Sequence, residues 1–384
     1  MQFISVSLWC LFAASSLVWL YRSGRALFTL RKLPVISKNP QPESHAPCPE
    51  RVSILVPAKN EEKNIAACLE SLVLQDYEPK EIFAIDNESS DRTPALLASM
   101  TPQIQPRATS ATPGGWTGKN YALHHGSLDA TGDWLLFTDA DTRHKPAGLR
   151  LALAHAQRHG VSFLTLLPEA LMEGFCEHLI QPAAMCYIGL WFPIERINDP
   201  TDPLAFANGQ YLLIRRKLYE SLGRHESVRE AFLEDFALMK KAKQSGAKVQ
   251  CALGTEVYGT RMYDNFESLW KGWRRIYLHA FEQNPVRLLI KTLNLLFFSA
   301  LPFFIFMGVT AALMFSNEKS VWQGPWGAWF LLNVLITTVC MLGYGIVRAP
   351  IRYSLVHSLA ALILSGILWN SFWIAFTRGK TSWR

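Results

Sequence analysis

Asp139 and Asp141, in Thr138-Asp139-Ala140-Asp141-Thr142, follow directly on the apolar run at 133–137 (DWLLF). In an extended chain, positions i and i+2 point the same way, so two carboxylates so placed repel unless a cation lies with them. Mg²⁺ or Mn²⁺ suits such a pair, because these hard cations take one or two carboxylates and fill the rest of their shell with phosphate oxygens of a substrate. A nucleotide-sugar diphosphate is one such substrate. The plain alternative is a solvated loop that holds two unrelated aspartates.

Other residues add to this chemistry. Asp86 ends the apolar run 81–86 and is a candidate acceptor of hydrogen bonds from a nucleobase or ribose, or else a helix cap. Glu234-Asp235 opens the helical segment FLEDFALMKKAKQSG. Carboxylates in a first turn complement the helix dipole, and one of them is also a candidate general base that takes the proton of an acceptor hydroxyl. Pro113-Gly114-Gly115-Trp116-Thr117-Gly118-Lys119-Asn120 leads into a helix, where backbone N–H groups and the Lys119 charge could meet phosphate; the spacing is not that of a Walker A loop. Asn208-Gly209-Gln210 reads as a turn beside a strand, or as hydrogen-bonding groups for sugar or acceptor, with Gln210 the contact. His124 and His125, adjacent on a helix, face different ways and read as packing or surface residues.

Holding these residues together takes an alternation of elements. Continuous apolar runs at 52–58, 81–86, 133–139, 161–167 and 207–214 read as buried strands. Segments 61–73, 90–100, 119–129, 146–159 and 234–245 carry helical spacing or caps. Such alternation implies a mostly parallel sheet covered on both faces, in which a ligand binds beyond the carboxyl ends of the strands. The polar clusters at 59–62, 86–87 and 139–141 all fall at such ends.

Composition sets the surroundings. Charged residues make up 18% of the 384-residue chain, below the roughly 25% usual for a soluble domain, and the deficit is local. Residues 293–376 hold only Glu318, Lys319, Arg348 and Arg352 as charges. Apolar runs near 3–21, 293–315, 326–347 and 354–376 each reach the ~20 residues that cross a bilayer core. The first lacks a basic n-region and is too long for a signal peptide, so it reads as an uncleaved anchor. Arg22, Arg25, Arg31, Lys32 and Lys38 follow it, which by the positive-inside rule puts the central block in the cytoplasm of a multi-pass inner-membrane protein. Arg348 and Arg352 agree; the tail cations Arg378, Lys380 and Arg384 do not. Seven scattered cysteines without a CxxC pair exclude a disulfide scaffold and are expected to stay reduced. The excess of +7 lies near apolar runs rather than on a polar basic face, which argues against nucleic acid as a partner.

Residues 266–281 place Phe266, Leu269, Trp270, Trp273, Ile276, Tyr277, Ala280 and Phe281 on one helix face. A Trp-rich basic amphipathic helix just before a span reads as lying in the membrane interface; a core helix is the alternative. Arg274 or Arg275 is a candidate contact of a leaving diphosphate. Residues 179–194 (LIQPAAMCYIGLWFPI), too short and too interrupted by proline to span, read as a flap on the membrane or a loop packed on the core. Both stretches point to an acceptor presented from the bilayer.

Taken in order, the motifs resemble those of family 2 glycosyltransferases with the GT-A fold, over roughly residues 51–280. SILVPAKNEEKNI looks like the family's opening strand, IDNESSDRT like its VDDGSSDDT segment, TDADT like its metal-binding DxD, and LEDFAL like its ED motif. GGWTGKNYAL and the flanking anchors look more like the membrane enzymes that glycosylate carotenoid acids or hopanoids, and like ceramide glucosyltransferase. The resemblance implies a nucleotide-diphospho-sugar transferase domain with a Rossmann-like, mostly parallel α/β sheet, plus transmembrane helices. It implies that Pro57, Ala58, Glu61 and Asp86 line the nucleotide pocket, that Asp139 and Asp141 hold diphosphate and metal with Asp141 the closer ligand, and that Asp235 is the base with Glu234 its neighbour. Two departures stand out. Asn87 and Glu88 replace the usual Asp-Gly, and the QxxRW motif of processive synthases is absent, the nearest match being Lys271-Gly272-Trp273-Arg274-Arg275.

The expected organisation is an anchor at 1–21, a basic Pro-rich linker at 22–50, the GT-A domain at 51–262, an interfacial helix at 263–292, three spans at 293–376 and a tail at 377–384. The expected activity is metal-dependent, inverting transfer of a hexosyl or N-acetylhexosaminyl group from a nucleotide sugar, UDP-sugar first, to a membrane lipid at the cytoplasmic face. A processive polysaccharide synthase lacks its motif here. A non-catalytic scaffold with a relic domain would be expected to have lost its acids, and these are intact.

Overall fold

The computed structural model describes residues 2–37 and 50–378; linker residues 38–49 and tail residues 379–384 lie outside them. The chain opens on one long helix, α1 (Gln2–Lys32). The central block then runs β1 (Val52–Ala58), α2 (Ile65–Val73), β2 (Lys80–Asp86), α3 (Thr93–Ser99), β3 (Gln105–Ala108), α4 (Gly118–Leu128), β4 (Trp134–Phe137), β5 (Thr142–His144), α5 (Gly148–Arg158), β6 (Phe163–Leu167), β7 (Glu169–Ala170), α6 (Phe175–Trp191), α7 (Ile194–Ile197), β8 (Leu212–Arg215), α8 (Arg216–Ser221), α9 (Glu234–Gln244), β9 (Val249–Leu253) and β10 (Tyr258–Thr260). The helices α10 (Phe266–Ala280), α11 (Pro285–Leu295), α12 (Leu301–Phe315), α13 (Lys319–Ile346) and α14 (His357–Arg378) complete it.

Seven strands form the main sheet in the order β3-β2-β1-β4-β8-β6-β9. Only β8 is antiparallel to its neighbours β4 and β6. β1 is buried along nearly its whole length, as a strand covered on both faces must be. α2 shows how the cover is made: Ile65, Cys68, Leu69 and Leu72 are buried at i, i+3, i+4 and i+7, an apolar stripe laid on the sheet. A separate apolar core lies on each face. A small sheet, β5-β10-β7, sits just after the Asp139–Asp141 turn and ties it down. The sequence reading found the five central strands and missed the peripheral ones.

Among the described residues, four helical stretches are long and apolar enough to cross a membrane: Val6–Lys32, Pro285–Phe315, Lys319–Ile346 and Ile351–Thr377. They correspond to the four expected runs, with two differences. α1 continues through the predicted linker to Lys32, and the chain beyond it joins the edge of the main sheet, where the Ile36 N–H donates to the Leu253 carbonyl at 3.0 Å. The segment that follows α1 is thus tied directly to the sheet. Arg22, counted among the basic residues after the first apolar run, is buried and donates to Ser299 Oγ at 2.8 Å and Asn294 Oδ1 at 2.6 Å. Arg25 pairs with Glu195 at 2.5 Å; Arg31 and Lys32 are exposed.

The stretch expected to lie in the interface divides. α10 ends at Ala280 and α11 starts at Pro285, capped by the Asn284 side chain. The apolar face of α10 buries Leu269, Trp273 and Tyr277 against α14 and α6. Periodicity identified the face, and neighbouring helices rather than lipid cover it. The segment expected as a flap or loop is the helix α6, with Pro182 inside it and most of its residues from Leu179 to Ile188 buried. The four long apolar helices, α6 and α10 share one apolar core.

Candidate active site

The turn after β4 carries the two aspartates. Its shape comes from buried hydroxyls. Thr138 Oγ1 donates to the Gln210 carbonyl at 2.7 Å, and Thr142 Oγ1 donates to the Asp139 carbonyl at 2.8 Å. His144 Nε2 lies 3.1 Å from both hydroxyl oxygens. Burial, aided by Arg143, pushes the His144 ring down to about 3, so it is neutral at pH 7 and brings no charge beside the carboxylates. Asp139 is half-buried and so is Asp141, whose Oδ1 is buried without a hydrogen-bond partner. Burial, then Asp139 and Glu61, pushes the Asp141 carboxyl up to about 8, with Lys119 opposing.

Lys119, in the first turn of α4, bridges two of the acids. Its Nζ lies 2.7 Å from Asp139 Oδ1 and 2.8 Å from Glu234 Oε1, and these carboxylates hold the ammonium well above the usual lysine range against the effect of burial. Asn120 fixes this helix end by donating to the carbonyls of Val228, Arg229 and Ala231. That joins α4 to the segment leading into α9.

Glu234 and Asp235 open α9 and are both buried. Asp235 Oδ2 accepts from the Gly209 N–H at 2.7 Å and Oδ1 from the Phe236 N–H at 2.8 Å. Burial and then Glu234 push the Asp235 carboxyl up to about 8, with Lys119 and the two N–H groups opposing. Gly209 is where it is for lack of a side chain: a Cβ there would lie 3.2 Å from Asp235 Oδ2 and from Lys119 Nζ, and 3.3 Å from Glu234 Oε1. Gly209→Ala is therefore expected to fold normally while displacing these reacting groups by a few tenths of an ångström, and so to lower turnover by less than the ~10²-fold that a misplacement of about 1 Å costs. Initial rates and circular dichroism on the same preparation check it.

These groups line one cleft of about 340 Å³, together with Pro57, Ala58 and Glu61 from the end of β1. Asp139, Asp141, Glu234, Asp235, Lys119 and Gln210 all meet there, as the sequence suggested. Asp86 ends β2, but the neighbouring Asn87 lines the cleft; Asp86 keeps a buried Oδ1 without a partner. Glu88, at the position of the family's usual glycine, takes the left-handed φ of +57° that glycine adopts freely. Arg275 lines the cleft, its guanidinium over the Phe232 ring, whereas Arg274 turns to Asn370 on α14 at 3.4 Å. The carboxamide of Gln210 is engaged with Thr260 Oγ1 at 3.0 Å.

Sequence reasoning missed Tyr263, Phe232 and Met262 in the wall. Only Gly272 hinted at Tyr263. A Cβ on Gly272 would fall 2.2 Å from the Tyr263 ring, so α10 needs a bare backbone there. Gly272→Ala is expected to drive Tyr263 out of place and to destabilise the domain by about 1–3 kcal/mol, read as a lower melting temperature.

A second cavity, of about 330 Å³, lies between α1, α6 and α13. Its walls are mostly apolar. It shares Asn208, Gln210, Leu233, Asp235, Met262 and Ile276 with the cleft.

A mostly parallel sheet with acids at its carboxyl ends, facing a lysine at a helix start, is the α/β arrangement of the GT-A fold. The family model for Glycosyl transferase family 2 matches residues 53–223; Glu234 and Asp235 lie just beyond the matched segment. The chain is similar to 4,4'-diaponeurosporenoate glycosyltransferase of Staphylococcus aureus (strain USA300), 26% identical over 228 residues, 58% of this chain and 60% of that protein. It is also similar to the protein of the same description from Staphylococcus haemolyticus (strain JCSC1435), 25% identical over 259 residues, 66% of this chain and 67% of that one. The match thus spans three fifths of the first relative's length. Among solved structures, the mannosyltransferase PcManGT from Pyrobaculum calidifontis, in complex with GDP-Man and Mn²⁺, shares the fold with a TM-score of 0.51 at 16% identity, covering 98% of this chain and 99% of that one.

Metal binding of the kind seen in that structure can be tested on the residues present. Among the described residues no three His, Cys, Asp or Glu side chains form a ready cage. A Mg²⁺ or Mn²⁺ site that borrows diphosphate oxygens does not require one. The partnerless Asp141 Oδ1, buried beside Asp139, is the feature such a cation satisfies, so the residues fit.

Proposed function

We propose that this protein is an inverting glycosyltransferase that moves one sugar from a nucleotide-diphospho-sugar, UDP-sugar first among donors, to a hydroxyl of a membrane lipid at the cytoplasmic face. The observation that carries this reading is the position of Asp235, which stands in the wall of both the acidic cleft and the apolar cavity. Four helices long enough to span a bilayer among the described residues and relatives described as 4,4'-diaponeurosporenoate glycosyltransferases support an apolar acceptor.

In this mechanism the nucleotide lies over the ends of β1 and β2, against Pro57, Ala58, Glu61 and Asn87. Asp139 and Asp141 would hold the metal. Mg²⁺ or Mn²⁺, when bound, offsets charge that builds on the leaving diphosphate. Lys119 and Arg275 add fixed positive charge on the same side. Asp235, with its carboxyl raised by burial, takes the proton of the acceptor hydroxyl as its oxygen attacks the anomeric carbon. The hydrogen bonds from Gly209 and Phe236 keep that carboxylate in one orientation. The new bond forms on the face opposite the departing diphosphate, with no covalent intermediate.

Mass spectrometry of membrane lipids from cells with and without the protein tests the proposal. A lipid heavier by one hexose or N-acetylhexosamine, formed only with the protein present, is expected. A long sugar polymer, or no sugar-bearing lipid, would overturn it.

A further inference from the structure

The cavity between the spans has a shape that goes further than "a lipid". Its walls come from three directions: Ala26 and Leu30 on α1, Met185 and Leu190 on α6, and Val339 and Ile346 on α13. Two glycines set its width. Gly189 on α6 lines the cavity, and a Cβ built there would meet no atom within 4 Å, so bare backbone faces open space. Gly343 on α13 does the reverse. A Cβ there would lie 2.8 Å from Cys186 Sγ, so its absence lets α13 close onto α6. The result is an apolar slot bounded on one side by the close approach of α13 to α6 and open along Gly189.

Besides Arg22, Arg25, Thr29 and His357 in its walls, polar groups gather where the slot meets the cleft. Asn208 and Gln210 flank Asp235 there, and all three belong to both cavities. A water-soluble acceptor gains nothing from the apolar length behind them. An alkyl or polyene chain gains about 0.8 kcal/mol for each methylene taken from water.

We propose that this slot is the acceptor channel: a single-chain apolar lipid lies along α6 between α1 and α13, and its terminal hydroxyl reaches Asp235. This deepens the glycosyltransferase reading and rests on it. Gly189 then limits acceptor thickness, although it is far in sequence from every acid of the cleft. The α6 insertion, with its internal proline, is a wall of the binding site.

The test uses the full-length protein in detergent micelles and a hexadecanol that carries a photoreactive diazirine on its chain. After irradiation, labelled peptides are mapped by mass spectrometry, and binding of UDP and of GDP in the presence of Mn²⁺ is titrated on the same samples. Label is expected on the α6 segment 185–190 and the α13 segment 339–347. Gly189→Trp is expected to reduce it at least tenfold there (~1.4 kcal/mol), with nucleotide binding retained. Gly345→Trp places the same side chain on α13 outside the slot, where a Cβ also meets no atom within 4 Å, and is expected to leave labelling unchanged. Label spread over outward residues such as Phe330 and Leu331, or equal in the wild type and Gly189→Trp, overturns the channel while nucleotide binding leaves the transferase reading standing. Absence of nucleotide binding in the wild type overturns the transferase reading beneath it.

Discussion

Asp235→Asn is expected to lower turnover by about 10²–10⁴-fold, the usual contribution of a positioned general base, while nucleotide-sugar binding changes little. The substitution keeps the size of the side chain and leaves an oxygen to accept from Gly209 or Phe236, so the start of α9 should survive. Proton abstraction does not survive, because a carboxamide has no basic site near neutral pH. Rates together with a nucleotide-binding titration separate the two effects. Near-normal turnover in the variant would remove Asp235 from the mechanism.

The same residue fixes a pH dependence. Burial and the neighbouring Glu234 push the Asp235 carboxyl up to about 8, and only its ionised form is a base. The active fraction therefore grows as pH rises, roughly tenfold per unit on the acid side, and levels off once the carboxyl is ionised. An unperturbed aspartate would instead have levelled off near pH 4. The acid limb of kcat/KM is thus expected well above the ordinary carboxylate range, and it should vanish from the residual activity of Asp235→Asn. A flat profile between pH 5 and 8 in the wild type would show that another group limits the rate.

Much of this site could be read in the sequence because its acids sit at the ends of apolar runs. DWLLF followed by TDAD places carboxylates at a strand tip whatever the rest of the chain does, and LEDFAL places two more at a helix start. What the sequence leaves open is a matter of one residue or one neighbour. Asp86 and Asn87 are adjacent at the end of β2, and successive residues of a strand alternate in direction; apolar patterning does not decide which enters the cleft. Arg274 and Arg275 differ by about 100° around α10, and only the placement of α14 assigns one to Asn370 and the other to the cleft. The Leu269–Tyr277 stripe was legible as apolar, but periodicity does not tell helix from lipid as the covering partner. α6 was missed because Pro182 forfeits a helical hydrogen bond; burial on several sides, invisible to local pattern, outweighs that loss. The strands of the small sheet are two or three residues long, too short for any period to register.

Asp141→Asn should separate stability from function. In the metal-free protein, Asp141 has a buried oxygen without a partner and carboxylates at Asp139 and Glu61 that disfavour its charge. A neutral carboxamide of the same shape removes that repulsion, so the melting temperature of the metal-free variant is expected to rise by a few degrees. The catalytic cost runs the other way. With one fewer charged oxygen to hold Mg²⁺ or Mn²⁺ against the diphosphate, turnover should fall by about 10²–10³-fold, as when one preorganised electrostatic contact is lost at a transition state. Half-maximal activity should also need more metal. The wild type treated with EDTA should lose its activity and regain it on adding Mn²⁺, and added Mn²⁺ should raise the melting temperature of the wild type more than that of the variant, since a ligand that binds only the folded state stabilises it by mass action. A structural role for Asp141 alone would lower both stability and activity in the variant. Opposite signs are what a carboxylate kept for a cation requires, and a lower melting temperature for metal-free Asp141→Asn would remove the residue from the metal site.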